Sequence, residues 1–398
     1  MNGKQFGILL ALVVVLGGAG LMLFKKNSAS WSGGGTAVGQ KLLGEFDVNA
    51  VAQIAVKHGT NELALVKQGE LWRVAQRGNY PANFTEISGL LLKLKDLKIV
   101  QSEQVGASQL PRLELAPSGT NLPTTAEFRD ASGKAIKTLL LGKKHLRKGQ
   151  GSPMGDMDDA GWPDGRYVKA DAASDQVALV SDPLANLEPK PEDWLNKDFF
   201  KVEKARTISV TFPIATNSWK LSRETEGGEL KLAEPKAGEE LDSSKASGVG
   251  SPFSSASFSD VVVGVSPEAA GLDKATVVNV DTFDGLNYAI KVGAKTNENY
   301  FLTVAVSGSF AKERTPGKDE KPEDKAKLDK EFAEKLKKLE EKLAQEKAFE
   351  PWTFLASAWT VDSVLKERSQ LMAEKKEDKK EEKPADDGTP VVPPVEVK

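Results

Sequence analysis

The chain has 398 residues and contains no cysteine. At about 100–200 residues per domain, this length predicts two or three domains. Its 54 Lys and Arg residues nearly balance its 57 Asp and Glu residues, so a net charge of −3 gives no strong attraction for nucleic acid. The lack of cysteine excludes disulfides, Fe–S clusters, thiol nucleophiles and Cys-ligated zinc. With only two histidines, His58 and His145, a His-rich metal site is excluded as well.

The first feature along the chain is an uncharged apolar segment at residues 6–24. As a helix it would span about 28 Å, close to the roughly 30 Å of a bilayer core. Lysines flank the segment on both sides, so charge alone does not orient it. We expect residues 1–26 to form an uncleaved single-pass membrane anchor. The alternative is a signal peptide that is cleaved near residues 28–30.

Short β-like segments follow the apolar segment. Residues 27–44 are rich in Gly and Ser and are interpreted as a flexible tether. Apolar and polar residues then alternate at residues 54–56, 63–65 and 71–74, which predicts strands. A Gly-containing turn at residues 130–133 joins two further strands in a hairpin.

One amphipathic helix is predicted between these strands. Its apolar residues recur at spacings of three and four, or lie side by side: Ile87, Leu90, Leu91, Leu94 and Leu97. Later in the same half, residues 143–166 are polar and read as a loop. Residues 184–200 contain two prolines, follow a third at Pro183, and are interpreted as a connector.

The second half of the chain repeats the order of elements in the first half. Residues 208–210 correspond to residues 54–56, and Gly293 ends a strand after a Gly turn as Gly142 does. Residues 241–258 occupy the position in the second half that the predicted helix occupies in the first, and a second helix is predicted there. We therefore predict an α+β, β-rich fold of two tandem repeats of antiparallel strands with one helix each. Two unrelated α+β domains are the alternative.

The repeat sets the predicted domain boundaries. The first repeat covers residues 45–200 and the second covers residues 201–371, with a closing helix at residues 361–371. Residues 372–398 are charged, contain several prolines and have few large apolar residues, which predicts a disordered tail.

A highly charged insert interrupts the second repeat at residues 312–350, with 12 Lys or Arg and 12 Asp or Glu in 39 positions. A helix is predicted over residues 321–347, because Lys, Glu, Leu and Ala all favour helix. Five apolar residues, spaced by three or four, form a seam along one side of it: Leu328, Phe332, Leu336, Leu339 and Leu343. We predict that the seam binds a partner. The alternatives are that it covers the flank of its own domain, or that the insert is a solvated, partly frayed helix.

Several of these features occur together in a known family. They are the Leu-Trp-Arg-Val strand at residues 71–74, the Leu-rich helix, the hairpin that closes on Leu141 and Gly142, and the Val-Asp-Ser-Val-Leu-Lys-Glu-Arg segment at residues 361–368. Over residues 45–371 the chain resembles the bacterial domain-of-unknown-function family numbered 4340. The resemblance implies a single-pass, membrane-anchored protein with an extracytoplasmic accessory role. It also implies a partner, an ABC-type transport system related to gliding-motility auxiliary components.

Acidic residues cluster in the polar loop, namely Asp156, Asp158, Asp159 and Asp164. Carboxylates at alternate positions suit Ca²⁺. An EF-hand loop that began at Asp156 would, however, need an oxygen ligand at Ala160 and a Glu at Tyr167. We therefore interpret the cluster as a solvated hairpin tip and predict no metal site.

Basic residues dominate residues 143–148, which include three lysines, one arginine and His145. Such a patch suits lipid headgroups or a phosphate, with a solvated loop as the other interpretation. His58 precedes Gly59, which is typical of an exposed turn. The sequence contains neither a nucleophile-elbow motif nor a phosphate-binding P-loop motif. We therefore predict no catalytic residues and no cofactor, and we do not expect the chain to be the ATPase of a transporter.

These observations favour a non-enzymatic, membrane-anchored binding or scaffold protein that lies mostly in the periplasm. It would act beside an ABC-type transport system. The alternative is an envelope hydrolase or glycan-binding enzyme that uses acidic residues. A cleft with two facing carboxylates of shifted pKa would favour that alternative.

Overall fold

The computed structural model describes residues 37–147, 161–171, 174–317 and 320–374. These residues form two antiparallel β-sheets with few helices, which confirms the predicted β-rich α+β class. Within these ranges no helix is long and apolar enough to cross a bilayer. The predicted anchor at residues 6–24 lies outside them, as does all but the beginning of the predicted tail.

The first sheet has nine strands. In chain order they are β1 (Gln53–His58), β2 (Asn61–Gln68), β3 (Leu71–Val74), β4 (Tyr80–Pro81), β5 (Ile99–Gln104), β6 (Thr124–Arg129), β7 (Ala135–Arg147), β8 (Trp162–Lys169) and β9 (Gln176–Val180). Across the sheet their order is β4-β3-β2-β1-β6-β7-β8-β9-β5. Helix α1 (Phe84–Asp96) connects β4 to the edge strand β5.

Helix α1 forms where the apolar spacing predicted it. The side chain of Asn83 caps its first turn, accepting hydrogen bonds from the backbone N–H groups of Thr85 at 3.0 Å and Glu86 at 3.3 Å. The predicted apolar residues are all buried: Ile87, Leu90, Leu91, Leu94 and Leu97. Burial of this face, more than helix propensity, therefore holds the helix in place.

The second sheet has eight strands. They are β10 (Ala205–Thr211), β11 (Trp219–Ser222), β12 (Lys231–Leu232), β13 (Phe258–Val262), β14 (Thr276–Thr282), β15 (Leu286–Thr296), β16 (Asn299–Gly308) and β17 (Thr353–Ser357). Their order is β12-β11-β10-β14-β15-β16-β17-β13. Three helices belong to this half: α2 (Ser243–Val249), α3 (Lys325–Lys347) and α4 (Ala358–Val361).

The two sheets share one strand order. Without β4, the first sheet runs β3-β2-β1-β6-β7-β8-β9-β5, and β12-β11-β10-β14-β15-β16-β17-β13 follows the same path. Even an irregularity recurs, because the register shifts after the pair Leu141–Val168 and again after the pair Val292–Leu302. A shared topology with a shared bulge is what an internal duplication predicts.

Several predicted elements differ from the structure. The helix expected within residues 241–258 has only seven residues, since two glycines and a proline follow its start and disfavour a longer helix. The strand that follows it, β13, was not predicted, and neither was its counterpart β5. The predicted loop at residues 143–166 is partly strand, because β7 continues to Arg147 and β8 begins at Trp162.

The closing helix predicted at residues 361–371 is wrong. Helix α4 ends at Val361, and the chain reaches a short 3₁₀ turn only at Arg368–Leu371. Val364 and Leu371 are fully buried, and Arg368 donates hydrogen bonds to Glu239. Tertiary contacts of these side chains therefore determine the irregular conformation of this segment, and they override its local preference for helix.

The predicted tether, residues 27–44, is too long at its C-terminal end. Leu42 and Leu43 are buried, and the backbone N–H of Leu42 donates to the carbonyl of Leu97 at 2.8 Å. Gly39 makes a second backbone hydrogen bond to Ile99 at 2.8 Å. Residues 37–44 are therefore part of the folded first repeat.

One hydrophobic cluster runs through both repeats. Tyr80 of the first repeat makes an edge-on ring contact with Trp352 of the second, at 5.1 Å between centroids. The connector contributes Phe199, whose ring lies 5.0 Å from Phe258 and 4.7 Å from Phe354. Aromatic contacts of this kind add to area burial, so the two repeats are held together by a continuous core.

Candidate functional site

The predicted seam faces the second sheet of its own domain. All five seam residues are half-buried, and they are Leu328, Phe332, Leu336, Leu339 and Leu343. Leu339 and Leu343 pack against the hydrophobic core, and α3 lies along β16. The seam thus makes the contacts of the alternative interpretation, in which it covers its own domain. Binding of a partner by the seam stays a prediction.

A glycine at the end of β16 lies close to α3. A Cβ atom at Gly308 would lie 2.9 Å from Cδ2 of Leu343 and 2.6 Å from the ring of Phe310. Both distances are too short for carbon atoms in contact. A side chain at this position would therefore make the ends of the Phe310 and Leu343 side chains move.

A buried carboxylate fixes the C-terminal end of α3. Glu346 is 5% exposed, and it accepts hydrogen bonds from the Tyr288 hydroxyl at 2.7 Å and the backbone N–H of Lys201 at 3.0 Å. The Nζ atom of Lys342 lies 3.8 Å from the same carboxylate. Burial, followed by the bond to Glu346, raises the pKa of the Tyr288 hydroxyl. These bonds satisfy a group that would be costly to bury alone.

An ion cluster holds the segment before α3 against the first turns of the helix. Arg314 donates to Glu320 at 2.6 Å and to Asp329 at 2.9 Å, and Lys325 donates to Asp329 at 2.8 Å. The hydrogen bonds to Glu320 and Asp329 raise the pKa of Arg314. Bonds from Lys325 and Arg314 lower the pKa of Asp329. The start of the helix is therefore tied to the segment that precedes it, whereas its C-terminal end is bonded to Tyr288 and Lys201 of the domain.

Between these attachments a pocket of about 240 Å³ opens beneath α3. Its apolar lining combines three seam residues with two phenylalanines that follow the ends of β14 and β16: Phe332, Leu336, Leu339, Phe283 and Phe310. At this volume the pocket is smaller than the roughly 300–1,000 Å³ of sites for drug-sized ligands. It has room for one apolar side chain of a partner.

The pocket has a charged edge. Asp284 lies 2.8 Å from Lys335 of α3 and 3.2 Å from Lys204. Burial raises the pKa of Asp284, but the hydrogen bonds from the two lysines outweigh burial, so that the pKa is lowered. The carboxylate therefore stays ionised and keeps Lys335 at the mouth of the pocket.

A second concave surface, which the sequence does not predict, lies on the outer face of the second sheet. Two cavities of about 590 and 380 Å³ adjoin there, and Asp281 and Asn287 line both. The only signal in the sequence is the recurrence of short polar residues at alternate strand positions, such as Asn279 and Asp281 in β14. The cross-strand register that joins them cannot be read from one strand.

The charged loop considered in the sequence is only partly within the described ranges. Asp156, Asp158 and Asp159 lie outside them. Oδ1 of Asp164 lies 2.6 Å from Nδ1 of His145. His58 lies 3.2 Å from the Thr124 hydroxyl. In the part of the chain that the structure describes, no three or more His, Cys, Asp or Glu side chains are grouped to hold a metal ion.

The basic patch is similarly divided. Residues 143–147 continue strand β7, and Lys144 donates to Glu188 at 3.0 Å. Hydrogen bonds from Lys190 and Lys144 lower the pKa of Glu188 to about 2. Part of the positive charge of the patch is therefore already paired within the protein.

Comparison with known proteins links this chain to one family. The model of the family described as "Domain of unknown function (DUF4340)" matches residues 158–275. Searches of curated proteins and of solved structures found no match. The matched region includes β8 to β13, from the last strands of the first repeat into the second. The match therefore supports the assignment of this region to that domain family.

Proposed function

We propose that the protein is a non-enzymatic binding or scaffold component that is anchored in a membrane and acts on its outer side. The proposed partner is a subunit of an ABC-type transport system, as the family resemblance implies. The apolar segment at residues 6–24 supports the anchor, because its length suits a bilayer core.

The pocket beneath α3 is the observation that supports binding best. Leu339 and Leu343 pack against the hydrophobic core and so attach the helix to the domain. Phe332 and Leu336, by contrast, line the open apolar pocket. An apolar side chain of a partner that entered it would contribute about 1.5–3 kcal/mol of burial. Since Leu339, Leu343 and Glu346 already hold α3 against the domain, little ordering entropy would oppose that binding.

The experiment is a pull-down of the tagged full chain from solubilised membranes. Leu336→Asp places a charge in the pocket, while Ala333→Asp places the same group on the exposed side of the same helix. We expect Leu336→Asp to lose the transport subunits and Ala333→Asp to keep them, with similar melting temperatures for both. Retention of the same subunits by Leu336→Asp would contradict the proposal.

The anchor has its own test. The wild-type chain should stay in the membrane pellet after a high-pH carbonate wash, and a chain without residues 1–36 should be released. The deletion removes no residue that the structure describes, so the folded repeats serve as their own control. Release of the wild-type chain by the wash would contradict the anchor.

The hydrolase alternative gains no support from the carboxyl groups. A general acid needs a carboxyl whose pKa is raised. Among the described residues, each carboxyl with a shifted pKa has it lowered, chiefly by lysine, arginine or local hydrogen bonds, as in Glu203 and Glu239. We therefore develop the binding function alone.

A further inference from the structure

We propose that a row of short polar side chains across the second sheet binds a linear, uncharged saccharide. The row joins residues that lie directly opposite each other on neighbouring strands: Ser222, Thr207, Asp281, Asn287 and Ser307. Directly opposite residues point to the same face of a sheet. The row therefore crosses five strands, and at about 4.8 Å between strands it is about 19 Å long.

This row forms the floor of the two adjoining cavities. The first cavity is lined by Ser222, Thr207, Asp281 and Asn287, and the second by Asp281, Asn287 and Ser307. The neighbouring row contributes Ala289 and Ala305 to the second cavity. Because alanine is short, the floor stays low and the surface is concave along the row.

The first repeat shows that the fold alone does not produce this groove. When Ile54 is aligned with Ile208, the corresponding row of the first sheet holds Val66, Gln53, Arg129 and Ala135. There Arg129 donates to Glu127 at 3.0 Å, and this ion pair occupies the face. Two repeats with one topology thus differ at the row, and only the second has short hydroxyl, amide and carboxylate groups there.

The chemistry of the row fits a polyhydroxylated ligand. The hydroxyl and amide groups both donate and accept hydrogen bonds, and the carboxylate accepts them, as the hydroxyls of a sugar require. Among the described residues Asp281 forms no ion pair, and it is exposed where it lines both cavities, so its oxygens are available to a ligand. Arg223 is not available, because its guanidinium already donates to the carbonyls of Ala205 and Gly250.

The charge of the groove favours a ligand without net charge. Together the two cavities are lined by three cations, Arg206, Arg223 and Lys231, and by three carboxylates, Glu224, Asp281 and Glu350. A phosphate or a carboxylate ligand would meet as much repulsion as attraction. The sugar units of an extended β-1,4-linked chain follow one another at nearly the strand spacing of about 4.8 Å, so successive units could each face one strand.

The probes are cellotetraose and chitotetraose, which share the β-1,4 linkage and differ in the N-acetyl group. Each is titrated calorimetrically into the full chain in a detergent without a sugar headgroup. The variant Asp281→Arg with Asn287→Ala installs the residues of the first repeat. We expect at least one probe to bind the wild type, and the variant to bind it about tenfold more weakly or not at all. Which probe binds identifies the kind of sugar.

The control is Thr211→Arg, which adds an arginine to an exposed position of the same face outside the two cavities. It should bind as the wild type does. All three proteins should melt alike, because the substituted positions are not in the core. The proposal is overturned if the wild type binds neither probe, or if the Asp281→Arg and Asn287→Ala variant binds as tightly as the control.

Discussion

Gly142 and Gly293 occupy the same position in the two repeats and serve the same purpose. Each lies just after the last regular pair before a strand bulge. A Cβ atom at Gly142 would lie closer than 3.0 Å to the carbonyl oxygen of Leu113, and one at Gly293 equally close to that of Ala270. In the first repeat the segment before the β6–β7 hairpin crosses β7 at Gly142, and in the second repeat the segment before the β14–β15 hairpin crosses β15 at Gly293. Only glycine leaves room for the crossing backbone at these two positions.

We therefore predict that Gly142→Ala and Gly293→Ala each destabilise the protein. The clash is with backbone, which cannot rotate away as a side chain can, and overpacking of this kind costs about 1–3 kcal/mol. Urea unfolding followed by circular dichroism measures the change in the free energy of unfolding.

Gly89→Ala is the matched control for these glycine variants. Gly89 lies in α1, and no atom would approach a Cβ there within 4 Å. Alanine in a helix is favoured over glycine by about 0.5–1 kcal/mol, so this variant should be as stable as the wild type or more stable. Equal stability of all three variants would show that the strand crossings adapt without cost.

The repeat could be predicted from the sequence because turns and glycines punctuate it. Ile54 and Ile208 begin matching strand patterns, and Gly142 and Gly293 each follow a long apolar strand. The helix α3 was predicted as well, since residues 325–347 have strong helix formers and a regular seam. These signals lie within short stretches of the sequence, so they can be recognised without knowledge of the fold.

The features that were missed depend on contacts between distant residues. The edge strand β5 has only one buried residue, Ser102, and its pairing with β9 is set by tertiary structure. The polar row from Ser222 to Ser307 exists only once five strands are in register. The sequence likewise could not show that Leu42 is held by Leu97, because no periodicity marks such a contact.

A second prediction concerns Glu346, which fixes the end of α3. Glu346→Ala leaves the backbone N–H of Lys201 without its acceptor, and it leaves the buried Tyr288 hydroxyl with only the longer bond to the Lys201 carbonyl, at 3.3 Å. A buried polar group without a partner costs about 1–3 kcal/mol, so we expect a loss of stability of that size. Thermal or urea unfolding measures it.

Glu341→Ala is the control for Glu346. It removes an exposed carboxylate of the same helix, which lies 3.8 Å from Lys337. An exposed pair of this spacing contributes at most about 0.5 kcal/mol. If the two alanine variants unfold at the same urea concentration, the buried hydrogen bonds of Glu346 do not stabilise the domain.

A third prediction concerns pH. Hydrogen bonds from Lys190 and Lys144 lower the pKa of Glu188 from 4.5 to about 2. Because the folded state lowers this pKa, the contribution is present above pH 4.5 and is lost as the pH falls towards about 2. Glu188→Gln should therefore be less stable than the wild type at neutral pH, and the difference should shrink as the pH falls through this range.

Urea midpoints at a series of pH values test this prediction about Glu188. Glu70→Gln, which changes an exposed carboxylate, is the control, and its difference from the wild type should vary little with pH. A difference between Glu188→Gln and the wild type that is constant from neutral pH to about 2 would show that the lysines do not act on this carboxylate.

The last prediction concerns the junction between the repeats, where Arg77 of the first repeat forms a two-pronged pair with Asp260 of β13. The Nε atom donates to one carboxylate oxygen at 2.6 Å and an Nη atom donates to the other at 2.8 Å. The side chains are only 21% and 22% exposed, so solvent weakens the pair less than it would at the surface. The hydrogen bonds to Asp260 raise the pKa of Arg77.

A double-mutant cycle of Arg77→Ala and Asp260→Ala separates this pair from its surroundings. We expect a coupling energy of about 1–2 kcal/mol, within the range for residues in direct contact. Arg77→Lys should keep the charge but lose most of the coupling, because one ammonium group cannot donate along two parallel directions. Glu192, which lies 3.3 Å from Arg77, is unchanged throughout and so cancels in the cycle. A coupling energy near zero would mean that this ion pair does not help to hold the two repeats together.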